Sequence, residues 1–429
     1  MTYLLITAII LFLYLKTFRF NYLIDDHVER AGMYIQVPPP PVPIVNGVRY
    51  DDNQQSFMCS FTNVSVYILV CFLINYLWGW KVAVLYSVIP TNVSGVAWKT
   101  GNYYMSTCFL VLTAYFFLRF QWGIVPACAF YYAGLESTIS ALPLLAVGLL
   151  SPYGWILAVP LTKFLTSKRF TSGLKKRKKA HDKKGIMSAE LSWKNLILVV
   201  EVMVYYILLG TGFMPLGFFH TFGRRGNLWL INGYFFLSLA LLVLFCYFGY
   251  LYNPFGLFWW LMFMGLFCQA IPNLGQFVTE RYMYIANIGL CLILCSYFEQ
   301  FPAMYWFLVG VWFMITYHYI PAWRNNETLF SHGMVAFPDN EDNYVNYASY
   351  LLDKGQTLRA VMPLQCALKY SVGRKWKLWG DLYRCYTAYG EFKQARHCLN
   401  MALQDCDLDA VEDINKQIKE LDKKIKEKK

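Results

Sequence analysis

Charge is what this chain has least of. Only 15% of its 429 residues are Asp, Glu, Lys or Arg, whereas 57% are hydrophobic. Soluble domains carry about a quarter charged residues, so the deficit excludes an ordinary soluble enzyme and points to an integral membrane protein. Acid is the scarcer sign, with 26 Asp and Glu against 38 Lys and Arg, for a formal charge of +12. Much of that excess is one stretch: ten Lys and Arg against one Asp between Lys163 and Lys184 (KFLTSKRFTSGLKKRKKAHDKK). Basic runs bind nucleic-acid phosphates without specificity, but among membrane segments such a run reads as a cytoplasmic anchor. No nucleic-acid partner is expected.

Other absences narrow the class further. The twelve Cys are scattered without metal-ligand spacing. Cys291 and Cys295 stand four apart on an apolar helix, while Cys366, Cys385, Cys398 and Cys406 could pair in an oxidising compartment, which the sequence leaves open. The first apolar stretch has no basic n-region before it and no small-residue cleavage site after it, so it reads as a retained helix and not a signal peptide. The apolar segments show no inverted internal repeat, which weighs against a transporter.

What is abundant is apolar and aromatic surface. Aromatics make up 19% of the chain, and many Trp and Tyr lie near segment ends, where amphipathic rings favour the headgroup level. Apolar runs able to span ~30 Å of hydrocarbon begin near residues 2, 60, 80, 103, 122, 137, 193, 227, 255, 283 and 301, giving about eleven candidate helices. With a cytoplasmic N-terminus, six crossings place the basic loop 163–192 in the cytoplasm and five more put the C-terminal region on the outer face. Lys16 and Arg19, at the exit of the first segment, run against that parity. The outer loops are then 21–57, 90–102, 214–226 and 274–282; the first contains VPPPPVP (Val37 to Pro43), read as a rigid spacer.

Beyond residue 320 the composition changes. Aligning Asn346 to Leu368 with Asp381 to Leu403 gives a period of 35, matching Gly355 with Gly390, Ala360 with Ala395 and Ala367 with Ala402. That is close to the tetratricopeptide period of about 34, in which small residues let paired helices approach. ETLFSHGMVAFP before the two repeats reads as a half repeat, and the Lys/Glu-rich helix from Ala410 as a cap. Such stacks present a binding surface.

Charges on the outer face are costly and tend to mark sites. They include Asp25, Asp26, His27, Glu29, Arg30, Lys99, Arg224, Arg225, Glu280 and Arg281. Basic groups there oppose the positive-inside bias, and a lipid-linked phosphate in the outer leaflet would account for them. A carboxylate beside such a phosphate can deprotonate a hydroxyl, so the set fits group transfer from a polyprenyl phosphate. The plain alternative for each acid pair is solvated punctuation at a helix end, the favoured reading for Asp51 and Asp52.

Several stretches carry a family resemblance. They are LIDDHVER (Leu23 to Arg30), FVTERYMYIANIGLCLIL (Phe277 to Leu294), and AWRNNETLFSHGMVAFPDNEDNYVNYASYLLDKG (Ala322 to Gly355). PTNVSGVAWKTGNYYMSTCFLVLTAYFFL (Pro90 to Leu118) and GLESTISALPLL around Glu136 add weaker support. In this order the chain resembles the transmembrane and tetratricopeptide-repeat O-mannosyltransferases of the GT-C glycosyltransferase superfamily. The resemblance implies an all-α, polytopic GT-C-type membrane domain over residues 1–320 and a tetratricopeptide-repeat domain with a charged C-terminal helix over 321–429. It also implies inverting transfer of a hexose, mannose first among the candidates, from a polyprenyl or dolichyl phosphate to Ser or Thr hydroxyls of a protein held by the repeats. Asp25 takes the role of catalytic base with Asp26 as partner. Arg281 binds the donor phosphate, oriented by Glu280 and helped by Lys99, Arg224 or Arg225, and His27 can hydrogen-bond the sugar. Two adjacent acids leave a divalent metal open. The membrane would be the endoplasmic reticulum or a bacterial inner membrane, with the repeats lumenal or periplasmic.

The departures fall in the second loop. Where the family pattern carries two His and a Glu, this chain has Ile89, Asn92 and Ser94, and Asn102 replaces its Arg. Leu135 stands at the Lys of a further motif. A catalytically degenerate membrane scaffold that recruits a partner through its repeats is therefore the competing expectation. Asn63, Asn92 and Asn326 each begin an N-x-S/T pattern.

Overall fold

The computed structural model describes residues 1–20, 44–45, 48–97, 103–119, 128–129, 156, 158–165, 193–218, 220, 234–265, 267–268, 278–371, 375–406 and 408–427. The expected spans near 122 and 137, the VPPPPVP spacer, and the basic loop beyond Leu165 lie outside them. The described chain is helical, apart from an antiparallel pair of two-residue strands, β1 (Ile44–Val45) and β2 (Val48–Arg49). It divides into two compact units, residues 1–216 with 227–325, and residues 217–226 with 326–429.

The first unit contains α1 (Thr2–Tyr14), α2 (Tyr50–Trp78), α3 (Trp80–Val88), α4 (Val93–Ala97), α5 (Tyr103–Arg119) and α6 (Ala158–Leu165). It continues with α7 (Trp193–Thr211), α8 (Tyr234–Tyr252), α9 (Pro254–Gly265), α10 (Ala286–Phe298) and α11 (Pro302–Tyr319). Four stretches are long and apolar enough to cross a membrane by length and composition: Thr2–Arg19, Ser60–Trp78, Phe235–Tyr252 and Pro302–Arg324. Phe235–Tyr252 buries only 11% of its residues against protein. Phe236, Leu237, Val243, Leu244 and Leu251 all face outward, as a lipid-facing helix requires.

Several expected boundaries move. The span expected near residue 80 is α3, nine residues long and so about 14 Å at the α-helical rise. It is half a crossing, and Val82 to Val88 are all buried. Gly79 makes the turn into it with φ +94°, a conformation only glycine adopts without strain. Helix α2 begins at Tyr50, within the expected first outer loop, so residues 50–57 are helical and not loop. Parts of the expected outer loops are also not solvated. Pro90 to Ala97 forms a 3-10 turn and a short helix, all buried, and Val278, Thr279 and Glu280 are buried as well.

Helices α9 and α10 cross closely. A Cβ on Gly289 would lie 2.5 Å from the Gly256 carbonyl oxygen and 2.8 Å from the Trp260 nitrogen, so only paired glycines allow this approach. Asn253 begins α9: its Oδ1 accepts from Gly256 N at 2.8 Å and its Nδ2 donates to Ser296 Oγ at 2.9 Å.

The second unit is a stack of helices: α12 (Asn326–Ala336), α13 (Glu341–Asp353), α14 (Thr357–Tyr370), α15 (Lys375–Ala388), α16 (Phe392–Asp405) and α17 (Leu408–Glu427). The pairs α13–α14 and α15–α16 are hairpins with matching turns. Gly355 and Gly390 sit at φ +72° and +74°. The following N–H groups, of Gln356 and Glu391, donate to Leu351 O at 2.8 Å and Tyr386 O at 3.0 Å, the six-to-one closure of a glycine C-cap. Ala360, Leu364 and Ala367 repeat 35 residues later as Ala395, Leu399 and Ala402, and all six are buried. Cys366, Cys385, Cys398 and Cys406 are free thiols.

Candidate functional site

The stretch Glu280–Tyr282 forms one 3-10 turn between an extended Thr279 (φ −155°, ψ 139°) and α10. The Thr279 amide donates to the Tyr206 hydroxyl at 3.2 Å, which ties the turn to α7. Successive residues of a 3-10 turn point about 120° apart, and here the two charges part company. Glu280 turns inward and is 1% exposed, whereas Arg281 is half-buried. The Tyr319 hydroxyl, at the end of α11, lies 3.2 Å from Glu280 Oε1 and 3.1 Å from Oε2 and donates to the carboxylate. Tyr319 is itself buried, with Trp323 edge-on at 6.2 Å. A carboxylate in such a place is tolerated because donors satisfy it. The Arg281 guanidinium lies 5.9 Å from the Tyr282 ring, which stacks on Phe267 at 4.2 Å and 7°. That ring pair gives the guanidinium an aromatic ledge.

Next to this turn is a network of neutral polar groups. Asn287 Nδ2 donates to Thr91 Oγ1 and Asn92 Oδ1, both at 2.9 Å. Asn92 Nδ2 donates to Tyr86 O at 3.1 Å and the Tyr67 hydroxyl at 3.2 Å, and Tyr67 donates on to Tyr86 O at 2.8 Å. The Tyr86 hydroxyl donates to Tyr284 O at 3.1 Å, and Ser94 Oγ shares a 2.8 Å hydrogen bond with the Tyr284 hydroxyl. Thr316 Oγ1 donates to Val88 O at 2.7 Å, which fastens α11 to the end of α3. Each bond is short enough to count, and in a low-dielectric interior such networks fix one arrangement of their helices.

Ile89, Asn92 and Ser94, the positions that depart from the resembled family's second-loop motif, are therefore placed in the interior. Asn92 and Ser94 bond directly to the 284–287 segment. Segments 89–97 and 280–287, singled out separately in the sequence, come together. Of the sequence-predicted site residues, Glu280 and Arg281 lie in this structure as given above. Asp25, Asp26, His27, Lys99, Arg224 and Arg225 lie outside the described residues, as do Asn102 and Leu135. Among the described residues no group of three His, Cys, Asp or Glu is placed to hold a metal ion.

Sequence reasoning missed Tyr319, Asn287, Tyr67 and Tyr86. A signal existed for Asn287, a lone amide inside an otherwise apolar run, which seldom survives in a membrane segment without a partner. No comparable signal marks the three tyrosines, since aromatics are common throughout. Fold and site together define a helical protein with membrane-length apolar helices, a buried carboxylate–tyrosine pair and a stack of helical hairpins. Comparison of the chain with protein-family models, with curated proteins and with solved structures finds no match.

Proposed function

We propose that the chain is an inverting glycosyltransferase of GT-C type, which moves a hexose from a polyprenyl phosphate to a Ser or Thr hydroxyl on the outer face of a membrane. In this reading about eleven helices cross the bilayer and the C-terminal hairpins are tetratricopeptide-type repeats that hold the acceptor protein. The observation that carries it is the 280–282 turn, which buries Glu280 against Tyr319 and leaves Arg281 only half-buried beside segment 89–97. A cation held over an aromatic ledge suits a lipid-linked phosphate. Asp25, with Asp26 beside it, takes the proton from the acceptor hydroxyl as its oxygen attacks the sugar's anomeric carbon. The phosphate leaves on the opposite face, its charge met by Arg281 with Lys99, Arg224 or Arg225, and His27 contacts the sugar.

The test is transfer from polyprenyl-phosphate mannose by full-length protein in detergent. Loss of a general base costs roughly 100- to 10,000-fold in rate, so Asp25→Asn is expected to reduce turnover by that amount. Loss of a charge-stabilising donor costs roughly 100- to 1,000-fold, the expectation for Arg281→Ala. Wild-type turnover in a stably folded Asp25→Asn protein would sink the assignment.

A second reading is favoured by the neutral network. Asn92 and Ser94 are bonded in the interior where a catalytic motif would present charge, as expected of a scaffold that no longer turns over donor. Photocrosslinking with a polyprenyl-phosphate probe separates the two readings, because a pure scaffold leaves the peptide containing Arg281 unlabelled.

A further inference from the structure

The helical-hairpin unit contains a groove of about 640 Å³ between α14 and α16, with α15 as its floor. That volume lies within the range of small-ligand and peptide-side-chain pockets, ~300–1,000 Å³. Its base is apolar: Leu382 and Cys398 are buried, and Trp379 and Tyr386 are half-buried. Its rim carries exposed Lys369 on α14 and exposed Lys393 on α16, with exposed His397 on the same helix as Lys393, and among the described residues no carboxylate lines it. Exposed amides complete the two walls, Gln365 on α14 and Gln394 on α16. Gln365 Nε2 donates to the Tyr386 hydroxyl at 3.2 Å, which turns its Oε1 into a fixed acceptor.

We propose that this groove binds a short acidic peptide segment that inserts one aliphatic side chain between its carboxylates. Three features select that occupant. Two lysines on opposite walls, with no acid among the described lining residues, complement carboxylates on either side of a central residue. Side-chain amides on both walls offer the donor and acceptor pair that a peptide group needs. An apolar floor, in which Trp379 packs against the apolar clusters of both hairpins with His397 edge-on at 6.1 Å, suits an aliphatic side chain. Burial pushes the Cys398 thiol up to about 11, so the floor holds a protonated, weakly reactive sulfur, in keeping with binding and not with covalent chemistry. The groove belongs to the hairpin unit alone, and this inference does not rest on the transfer reading.

The experiment is fluorescence anisotropy with full-length protein in detergent and a labelled peptide of Asp and Glu around one Leu. Reversal of the rim by Lys369→Glu with Lys393→Glu is expected to weaken binding tenfold or more, and replacement of the peptide's Leu by Ser several-fold. Lys416→Glu with Lys419→Glu, on exposed positions of α17, makes the same change in net charge and is expected to alter affinity less than twofold. Equal weakening by the two double variants would mean diffuse attraction and overturn the proposal, as would an unchanged affinity in the rim variant. Displacement of the peptide by short-chain, soluble dihexanoylphosphatidylserine, but not by dihexanoylphosphatidylcholine, would assign the groove to lipid headgroups and also overturn it.

Discussion

At the scale of residues, a tyrosine hydroxyl is one of the groups that hold the buried carboxylate. Tyr319 lies within hydrogen-bond distance of both oxygens of a carboxylate that is 1% exposed. Removing a donor from a buried charged group costs about 1–3 kcal/mol, so Tyr319→Phe is expected to lower the thermal midpoint of the detergent-solubilised protein. Glu280→Gln keeps an acceptor for the same hydroxyl and removes the buried charge, so its effect should be smaller. If Tyr319→Phe melts like wild type while Glu280→Gln is severely destabilised, the hydroxyl is not what makes the buried carboxylate tolerable. Glu280 and Arg281 were legible as a charged pair because charge is so sparse in this chain. That Glu280 is buried while Arg281 is only half-buried was not, since it depends on the 3-10 turn that points neighbouring side chains apart. The partner that Glu280 found, 39 residues downstream, leaves no local mark in the sequence.

At the scale of elements, glycine decides where helices meet. The Cβ of Gly289→Ala would meet backbone atoms of α9, which cannot swing aside as a side chain can. Overpacking of this kind costs about 1–3 kcal/mol, and the expected result is a lowered thermal midpoint. Gly310→Ala on α11 is the matched control. It is exposed, a Cβ there would have nothing within 4 Å, and alanine gains up to ~1 kcal/mol of helix propensity over glycine. Equal behaviour of the two variants would mean that the α9–α10 crossing is looser than its geometry. The hairpins were legible in advance for a physical reason: a turn needing positive φ and helices needing small contact residues recur at a fixed period. The α9–α10 crossing was not, because Gly256 and Gly289 are single glycines on different helices. The buried course of Pro90 to Ala97 was hidden for a related reason, since Thr, Asn and Ser read as loop until their partners are seen.

At the scale of the whole molecule, the transfer reading commits each part to one side of a membrane, by parity among the apolar runs. N-glycosylation reports sidedness in a eukaryotic host, yet two of the acceptor patterns already present cannot serve. Asn92 is fully buried in the polar network and Asn326 is 7% exposed at the start of α12, so neither can carry a glycan in the folded protein. Asn415 is exposed on α17, and Gln417→Thr completes an N-x-T acceptor there with a single substitution. Asp182→Asn with Lys184→Thr does the same within the basic loop. A lumenal hairpin unit and a cytoplasmic basic loop, the arrangement that transfer from an outer-leaflet donor requires, predict opposite outcomes for the two. The first variant should show a gel shift that peptide N-glycosidase reverses, and the second should migrate unshifted. A shift in the basic-loop variant alone would invert the molecule and place the hairpins in the cytoplasm, away from any lumenal acceptor. Modification of both would break the parity between them, requiring an odd number of crossings to be added or removed between residues 182 and 415.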